Sequence, residues 1–211
     1  MITGHFGITG FARSFVREPL KPLYFFLLLG ASVSPDVLDM FYWLFEVCSP
    51  SGLYSHTIYA VALQAAVIGG IALLVTGSRA AALLFACAVL LHMPADWITG
   101  RKLFVPGAEL MGLRLYDRPL WDWAVEVPIL VAGWWMLRRA GRGPRWATTA
   151  YALAGMILGQ TVFDLLTGGG VKPNACLNAA IPSPAALVTA PLTRHVGAPS
   201  QPLHHSDSSI P

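Results

Sequence analysis

The chain has 211 residues, 55% of them hydrophobic and only 12% charged, and its mean hydropathy is +0.58. Soluble domains carry about twice that charged fraction, so the composition excludes an ordinary water-soluble domain and points to a polytopic helical membrane protein. The formal charge of +3 is modest, and three scattered cysteines (Cys48, Cys87 and Cys176) form no CxxC, which leaves neither a zinc ribbon nor a redox motif.

In chain order, Thr3–Val16 and Pro22–Val33 are too short to span a bilayer alone and read as an N-terminal hairpin of short helices, turning at Arg17-Glu18-Pro19. Arg13, Arg17 and Lys21 ahead of the apolar run Leu23–Gly30 also fit a cleaved signal peptide. Against that, the segment before the run is long and itself apolar at Phe6, Ile8, Phe11 and Phe15, so a retained N-terminus is expected. Phe41–Val47 is expected as a further interfacial helix. Ile58–Val75, Ala80–Ile98 and Ala147–Leu166 approach the ~20 residues a span requires, and Leu120–Leu137 is a fourth, Trp-rich candidate that carries Asp122 and Glu126. The fold class is thus all-α: an integral membrane bundle over residues 1–167 with about four full spans plus the hairpin. From Gly168 the chain changes character, with Pro at 173, 182, 184, 191, 199, 202 and 211, and residues 168–211 read as a disordered tail.

Tracing these spans down and up gathers Arg13, Arg17, Lys21, Arg79, Arg138, Arg139, Arg142 and Arg145 at one end, with Glu18 the only acid among them. The positive-inside rule makes that end cytoplasmic. The Arg138–Arg145 cluster then suits topology and anionic membrane lipid better than nucleic acid. The same trace places six ionisable residues in the opposite, outer half: His5, Asp36, Asp39, His56, His92 and Asp96. A carboxylate at the centre of a membrane helix costs ~2.5–3.5 kcal/mol on insertion scales, so such residues face a bundle interior, where they pair, relay protons or bind metal.

Each has a plainer reading when taken alone. His92 and Asp96, at i and i+4, share a helix face and could bond one another as easily as a metal. Asp36 follows Pro35, as a helix cap does, and Asp39 lies three residues on. His56 and His5 could be interfacial. Together, three imidazoles and three carboxylates are good ligands for Zn²⁺ or a similar divalent metal. Glu126 lies about 9 Å below the start of its span, near the depth of His92, so Glu126 or Asp39 could act as a general acid/base. Gln160 and Asp164 read as interhelical hydrogen-bonders. Tyr54-Ser55-His56-Thr57 lacks the Gly-x-Ser-x-Gly elbow of a serine nucleophile.

The assembled pattern is Gly4-His5-Phe6-Gly7, Pro35-Asp36-x-x-Asp39, Tyr54-Ser55-His56-Thr57 and His92-x-x-x-Asp96. It resembles the predicted membrane-bound metal-dependent hydrolases, small bacterial inner-membrane proteins, and in particular their branch beginning Gly-His-Phe-Gly. In that branch a Gly-Leu-Gly-Leu-Trp segment precedes a glutamate-bearing helix; here it reads Gly112-Leu113-Arg114-Leu115-Tyr116, with Glu126 downstream. The resemblance covers roughly residues 1–140. It implies an inner-membrane location and metal-dependent hydrolysis, with a lipid or amphiphilic ester or phosphoester as substrate class. The chain departs from the pattern at Leu91, where a serine is usual, at Arg114, where the pattern has glycine, and in lacking a His-x-x-Asp-Leu-Pro turn after Asp96. Two readings compete: a transporter using the same His/Asp set as an ion or proton site, and a non-enzymatic membrane protein with a structural metal.

Overall fold

The structure is a computed structural model and describes residues 2–17, 21–45 and 53–167; the expected tail over 168–211 and Glu18-Pro19 of the expected hairpin turn lie outside the described residues. The described residues are helical with no strand. They form α1 (Ile2–Phe15), α2 (Pro22–Ser32), α3 (Ser34–Leu44), α4 (Ile58–Thr76), α5 (Arg79–Leu90), α6 (His92–Thr99), α7 (Pro119–Ala140) and α8 (Ala150–Thr167), with a 3-10 turn at Leu115–Asp117.

Two prolines shape the region of interest. A proline lacks the N–H that the carbonyl four residues earlier needs and crowds that carbonyl. Pro35 follows the interruption at Val33, and α2 and α3 meet at a 59° bend. Pro94 follows the interruption at Leu91, which keeps helical dihedrals (φ −69, ψ −11), so α5 and α6 run on as one length over Arg79–Thr99. The separate helix expected at Phe41–Val47 does not form. The helix that Pro35 starts continues through Phe41 to Leu44, and residues 46–52 lie outside the described residues.

Two lengths, Ile58–Thr76 and Arg79–Thr99, are long and apolar enough to cross a membrane, and a third counts if the bent α2–α3 pair is one span. Helix α4 is capped by the Thr57 hydroxyl at Ala60 N–H and ends at Gly77 in the left-handed region. It turns Val61, Ala65, Gly69 and Ala72 onto α5 and leaves Leu63, Val67, Ile71 and Leu74 exposed. Such a continuous exposed apolar stripe suits acyl chains rather than water. The fourth expected span, Leu120–Leu137, lies within α7, a helix of 22 residues, but with Asp122, Glu126, Arg138 and Arg139 α7 is not among the lengths apolar enough to cross a membrane. In place of Ala147–Leu166, residues 145–148 form turns and the apolar helix covers Ala150–Leu166.

Helix α1 lies between α7 and the α5–α6 length. Glycines at 4, 7 and 10 share its α7 face. A Cβ at Gly7 would stand 2.6 Å from the Ile129 carbonyl oxygen, and one at Gly133 would stand 1.8 Å from the Gly7 carbonyl oxygen. The two backbones are therefore in direct contact, the arrangement that small residues permit between helices in lipid. The other side of α1 carries His5 and Thr9, both buried, with Ala12 and Val16 packed on the core of Leu28, Val61, Leu84, Phe85 and Val89. This wedge sets the depth of His5.

Candidate metal centre

Four segments deliver five side chains to one place: His5 from α1, Asp36 from α3, His56 from the turn before α4, and His92 and Asp96 from α6. His56 Nε2 lies 3.2 Å from Asp36 Oδ1, 3.1 Å from Asp96 Oδ2 and 3.2 Å from His92 Nε2. His92 Nε2 lies 3.7 Å from Asp36 Oδ1 and 3.2 Å from Asp96 Oδ2. Five edges of a four-atom figure are therefore 3.1–3.7 Å. A tetrahedron with 2.0–2.1 Å metal–ligand bonds has edges of about 3.3 Å. His5 approaches from beside this set. Its ring stacks on His92 at 4.0 Å between centroids, its Nε2 is 3.7 Å from Asp96 Oδ1, and ligand atoms of His5, Asp36, His92 and Asp96 all lie within 4.8 Å of one another. This His/Asp group could hold a metal ion.

The surroundings aim the donors. The carbonyl of Ser32, the last residue of α2, accepts from His92 Nδ1 at 2.8 Å. Carbonyls of a last helical turn lack intrahelical partners, and the bend before Pro35 turns this one toward α6. With Nδ1 donating, His92 presents the Nε2 lone pair to the cluster, the tautomer that a second partner imposes on a metal-binding histidine. His56 is held likewise. Its Nδ1 is 2.8 Å from Ser55 Oγ and 3.2 Å from Asp39 Oδ2, and the Ser55 hydroxyl donates to Asp39. Asp39 thus sits behind His56, on the nitrogen facing away from the four-atom figure.

The chemistry of the donors fits a cation. His5, His56, His92 and Asp96 are at most 1% exposed. Both Asp96 oxygens are buried and accept no hydrogen bond of good geometry from the described residues, although Oδ2 is within 3.2 Å of two imidazole nitrogens. A buried carboxylate without hydrogen bonds is costly, and close donors without hydrogen-bond geometry are what a shared ion would reconcile. Burial and the Lys102 charge push His56 toward the neutral form, but its contacts with Asp36, Asp39 and Asp96 outweigh them and raise its pKa from 6.5 to about 10. Without a cation the His56 ring therefore carries both protons, one toward Asp39 and one toward the cluster.

Glu126 stands elsewhere. It is fully buried on α7 beside Gly4, where Thr3 Oγ1 donates to its Oε2 at 3.4 Å. Thr3 also donates to Gln160 Oε1, and Gln160 Nε2 donates to Asp164 Oδ1 at 2.8 Å. With Asp122, one turn before Glu126, these form a second, largely buried polar group between α1, α7 and α8, in which Asp122 Oδ1, Glu126 Oε1 and Asp164 Oδ2 have no hydrogen-bond partner among the described residues. Half-buried Tyr116 lies near both groups. Burial, and then the charges of Asp96, Asp36 and Glu126, hold its phenol well above the usual value. An apolar cavity of about 330 Å³ lined by Phe6, Phe25, Leu130, Trp134, Trp146 and Met156 shares no residue with either group.

The structure adds Lys102, which the sequence reading passes over. Its Nζ lies 3.5 Å from Asp39 Oδ2 and 3.7 Å from Asp36 Oδ1. Burial disfavours its charge, but Asp96, Asp36 and Asp39 more than compensate and raise its pKa. Its sequence signal is slight: a lysine beside Arg101 in a polar loop, 63 residues from Asp39. Comparison of the chain with protein-family models, curated proteins and solved structures gives no match.

Proposed function

We propose that this protein is a membrane-embedded, metal-dependent hydrolase with zinc at the His/Asp cluster, acting on a lipid or amphiphilic ester or phosphoester. The observation that carries the reading is the four-atom set of His56 Nε2, His92 Nε2, Asp36 Oδ1 and Asp96 Oδ2, spaced 3.1–3.7 Å along five edges. Two imidazoles and two carboxylates suit Zn²⁺, with His5 beside them as a fifth donor. A divalent ion there supplies a Lewis acid and lowers the pKa of water to about 7.

The remaining roles belong to the chain. Asp39 and Ser55 fix His56, and the Ser32 carbonyl fixes His92. Asp36 and Asp39, 26% and 30% exposed, line the only side of the cluster that opens outward among the described residues, and Asp39 is the acceptor placed to take a proton there. Glu126 would exchange protons through the neighbourhood of Tyr116 rather than from within the cluster.

The topology in this reading has four full spans, α4, α5–α6, α7 and α8, with α1 and the bent α2–α3 pair entering from the outer face. Arg138 and Arg139 stack over Trp134 and Trp135 at the basic end of α7, as residues at a headgroup boundary do. Asp122 and Glu126 face inward and are not offered to lipid.

The test is metal content and turnover together. Detergent-purified protein should carry about one divalent ion per chain and hydrolyse a phospholipid or amphiphilic ester reporter only when metal-loaded. His92→Ala should lose both. Protein that folds, inserts and binds no divalent ion would end this reading. A second reading, an ion or proton conductor, is favoured by the buried Thr3–Gln160–Asp164 chain beside Glu126. Proton flux into proteoliposomes that is lost in Glu126→Gln while metal content is kept would select it.

A further inference from the structure

Among the described residues the cluster has one open side, and Lys102 stands there beside Asp36 and Asp39. Side chains of His5, His56, His92 and Asp96 are at most 1% exposed, whereas Asp36, Asp39 and Lys102 are 26%, 30% and 20% exposed. Lys102 thus shares the exposed edge of the cluster with Asp36 and Asp39. Its Nζ and the two cluster imidazoles have one atom as a common neighbour, Asp36 Oδ1, at 3.7, 3.2 and 3.7 Å from Lys102 Nζ, His56 Nε2 and His92 Nε2.

The lysine is held by its backbone. Lys102 N–H donates to the Met111 carbonyl and Met111 N–H to the Lys102 carbonyl, both at 2.9 Å, which closes the loop into a short antiparallel pairing. Leu103 and Phe104 are buried, and the Phe104 carbonyl accepts from Ile58 N–H at 2.9 Å, two residues after His56. The loop that presents Lys102 is thus registered on the segment that presents His56.

Charge then decides what the mouth accepts. Asp36, Asp39 and Asp96 carry three negative charges, Lys102 returns one, and a divalent ion returns two, so the loaded site is neutral. Remove the lysine and the site is net negative and repels anions at close range. A neutral carboxylic ester would need no such balance. Resting on the hydrolase reading above, we propose that the substrate is a phosphoester and that Lys102 is its specificity residue, its ammonium binding an anionic phosphoryl oxygen beside the metal. Lysine suits this as a compact charge with three rotatable donors.

The test uses the full-length protein in detergent, with Co²⁺ in the cluster as a visible reporter and inorganic phosphate as the probe. Phosphate should shift the cobalt absorption saturably in the unaltered protein. Lys102→Met and Lys102→Gln should keep cobalt stoichiometry but bind phosphate about 10- to 100-fold more weakly, the size of a lost charge-assisted hydrogen bond. Lys102→Arg should stay within about threefold of the unaltered protein, because the charge remains. Cobalt-loaded unaltered protein that ignores phosphate would overturn the proposal without any variant. So would phosphate binding unchanged in Lys102→Met or Lys102→Gln. A chain that takes up no cobalt at all would instead refute the metal reading beneath it, so the two failures are distinct.

Discussion

Asp39 and Asp96 both touch His56, yet the geometry gives them different work, and paired substitutions separate the two. Asp96 Oδ2 is within 3.2 Å of both cluster Nε2 atoms, is fully buried, and has no hydrogen bond to fall back on. Removing one partner of a fully buried charged set costs about 3–5 kcal/mol, which is roughly 150- to 5,000-fold in affinity. Asp96→Asn should therefore reduce metal affinity by that factor. Asp39 meets His56 on Nδ1, at 3.2 Å, and holds the ring rather than the ion. Loss of such an orienting carboxylate typically weakens metal binding 10- to 100-fold, about 1.4–2.7 kcal/mol. Asp39→Asn keeps the shape, and its amide oxygen can still accept from Nδ1–H, so the lower end of that range is expected. Freeing Lys102 from its 3.5 Å contact with Asp39 adds a repulsion toward the cation, but Asp39 is 30% exposed and solvent damps it. The assay is competition for Zn²⁺ against a chromophoric chelator in detergent, with bound metal counted by mass spectrometry. Equal losses in the two variants, or unchanged affinity in Asp96→Asn, would refute the division between ligand and orienting residue.

Because His56 is protonated up to about pH 10 when no cation is bound, and a ligand must be deprotonated, metal affinity should rise with pH, about tenfold per unit through neutrality, and level off near pH 10; calorimetry in buffers of different ionisation enthalpy should count close to one proton released per ion at pH 7.5. Gly133→Ala puts a Cβ 1.8 Å from the Gly7 carbonyl oxygen, so α1 and α7 must part, and a loss of about 3 kcal/mol or more is expected, with metal loosened as His5 withdraws. Gly155→Ala, with nothing within 4 Å, serves as the control and should gain slightly from helix propensity; equal melting temperatures for the two variants would contradict backbone contact at Gly133. Arg114 is the only described non-glycine residue at positive φ (+59), where a side chain costs roughly 1–2 kcal/mol. Its exposed pairing with Asp117 returns little, so Arg114→Gly should raise stability by up to about 1 kcal/mol, and a lower melting temperature would count against the strain.

How much was legible in the sequence differs by element. The long apolar helices were, because an unbroken run such as Ile58–Val75 admits few other structures. The gathering of His5, Asp36, His56, His92 and Asp96 followed from tracing spans end to end, since residues at the same depth in a narrow bundle have little room to stay apart. Boundaries were less legible. The helix expected at Phe41–Val47 is the end of one begun by Pro35, a continuation that local apolarity cannot distinguish from a new start. The split between ligand and support was not legible at all: Asp36 and Asp39 lie on neighbouring turns of one helix, and only the rotation of that helix past the 59° bend decides which meets Nε2 and which meets Nδ1 of His56. Arg114 is a case where sequence and structure bear on the same point. The resemblance noted for residues 112–116 has glycine there, and the backbone adopts a conformation that glycine favours.

The break between α2 and α3 explains why this site needs Pro35 as much as its ligands. An unbroken α2–α3 would direct the Ser32 carbonyl along the helix axis into its own ladder, leaving His92 Nδ1 without an acceptor and its tautomer unset. The bend ahead of Pro35 releases that carbonyl and, within four residues, supplies Asp36, so one interruption provides both the support for His92 and the carboxylate opposite it. The α5–α6 length passes Pro94 without such a bend, with His92 and Asp96 on either side of the proline. Substituting Pro35 by alanine would restore a backbone donor and favour a straighter helix. The chain would gain local helical stability there, and the cluster would lose its aim. That opposition between local stability and site geometry is what a functional centre looks like.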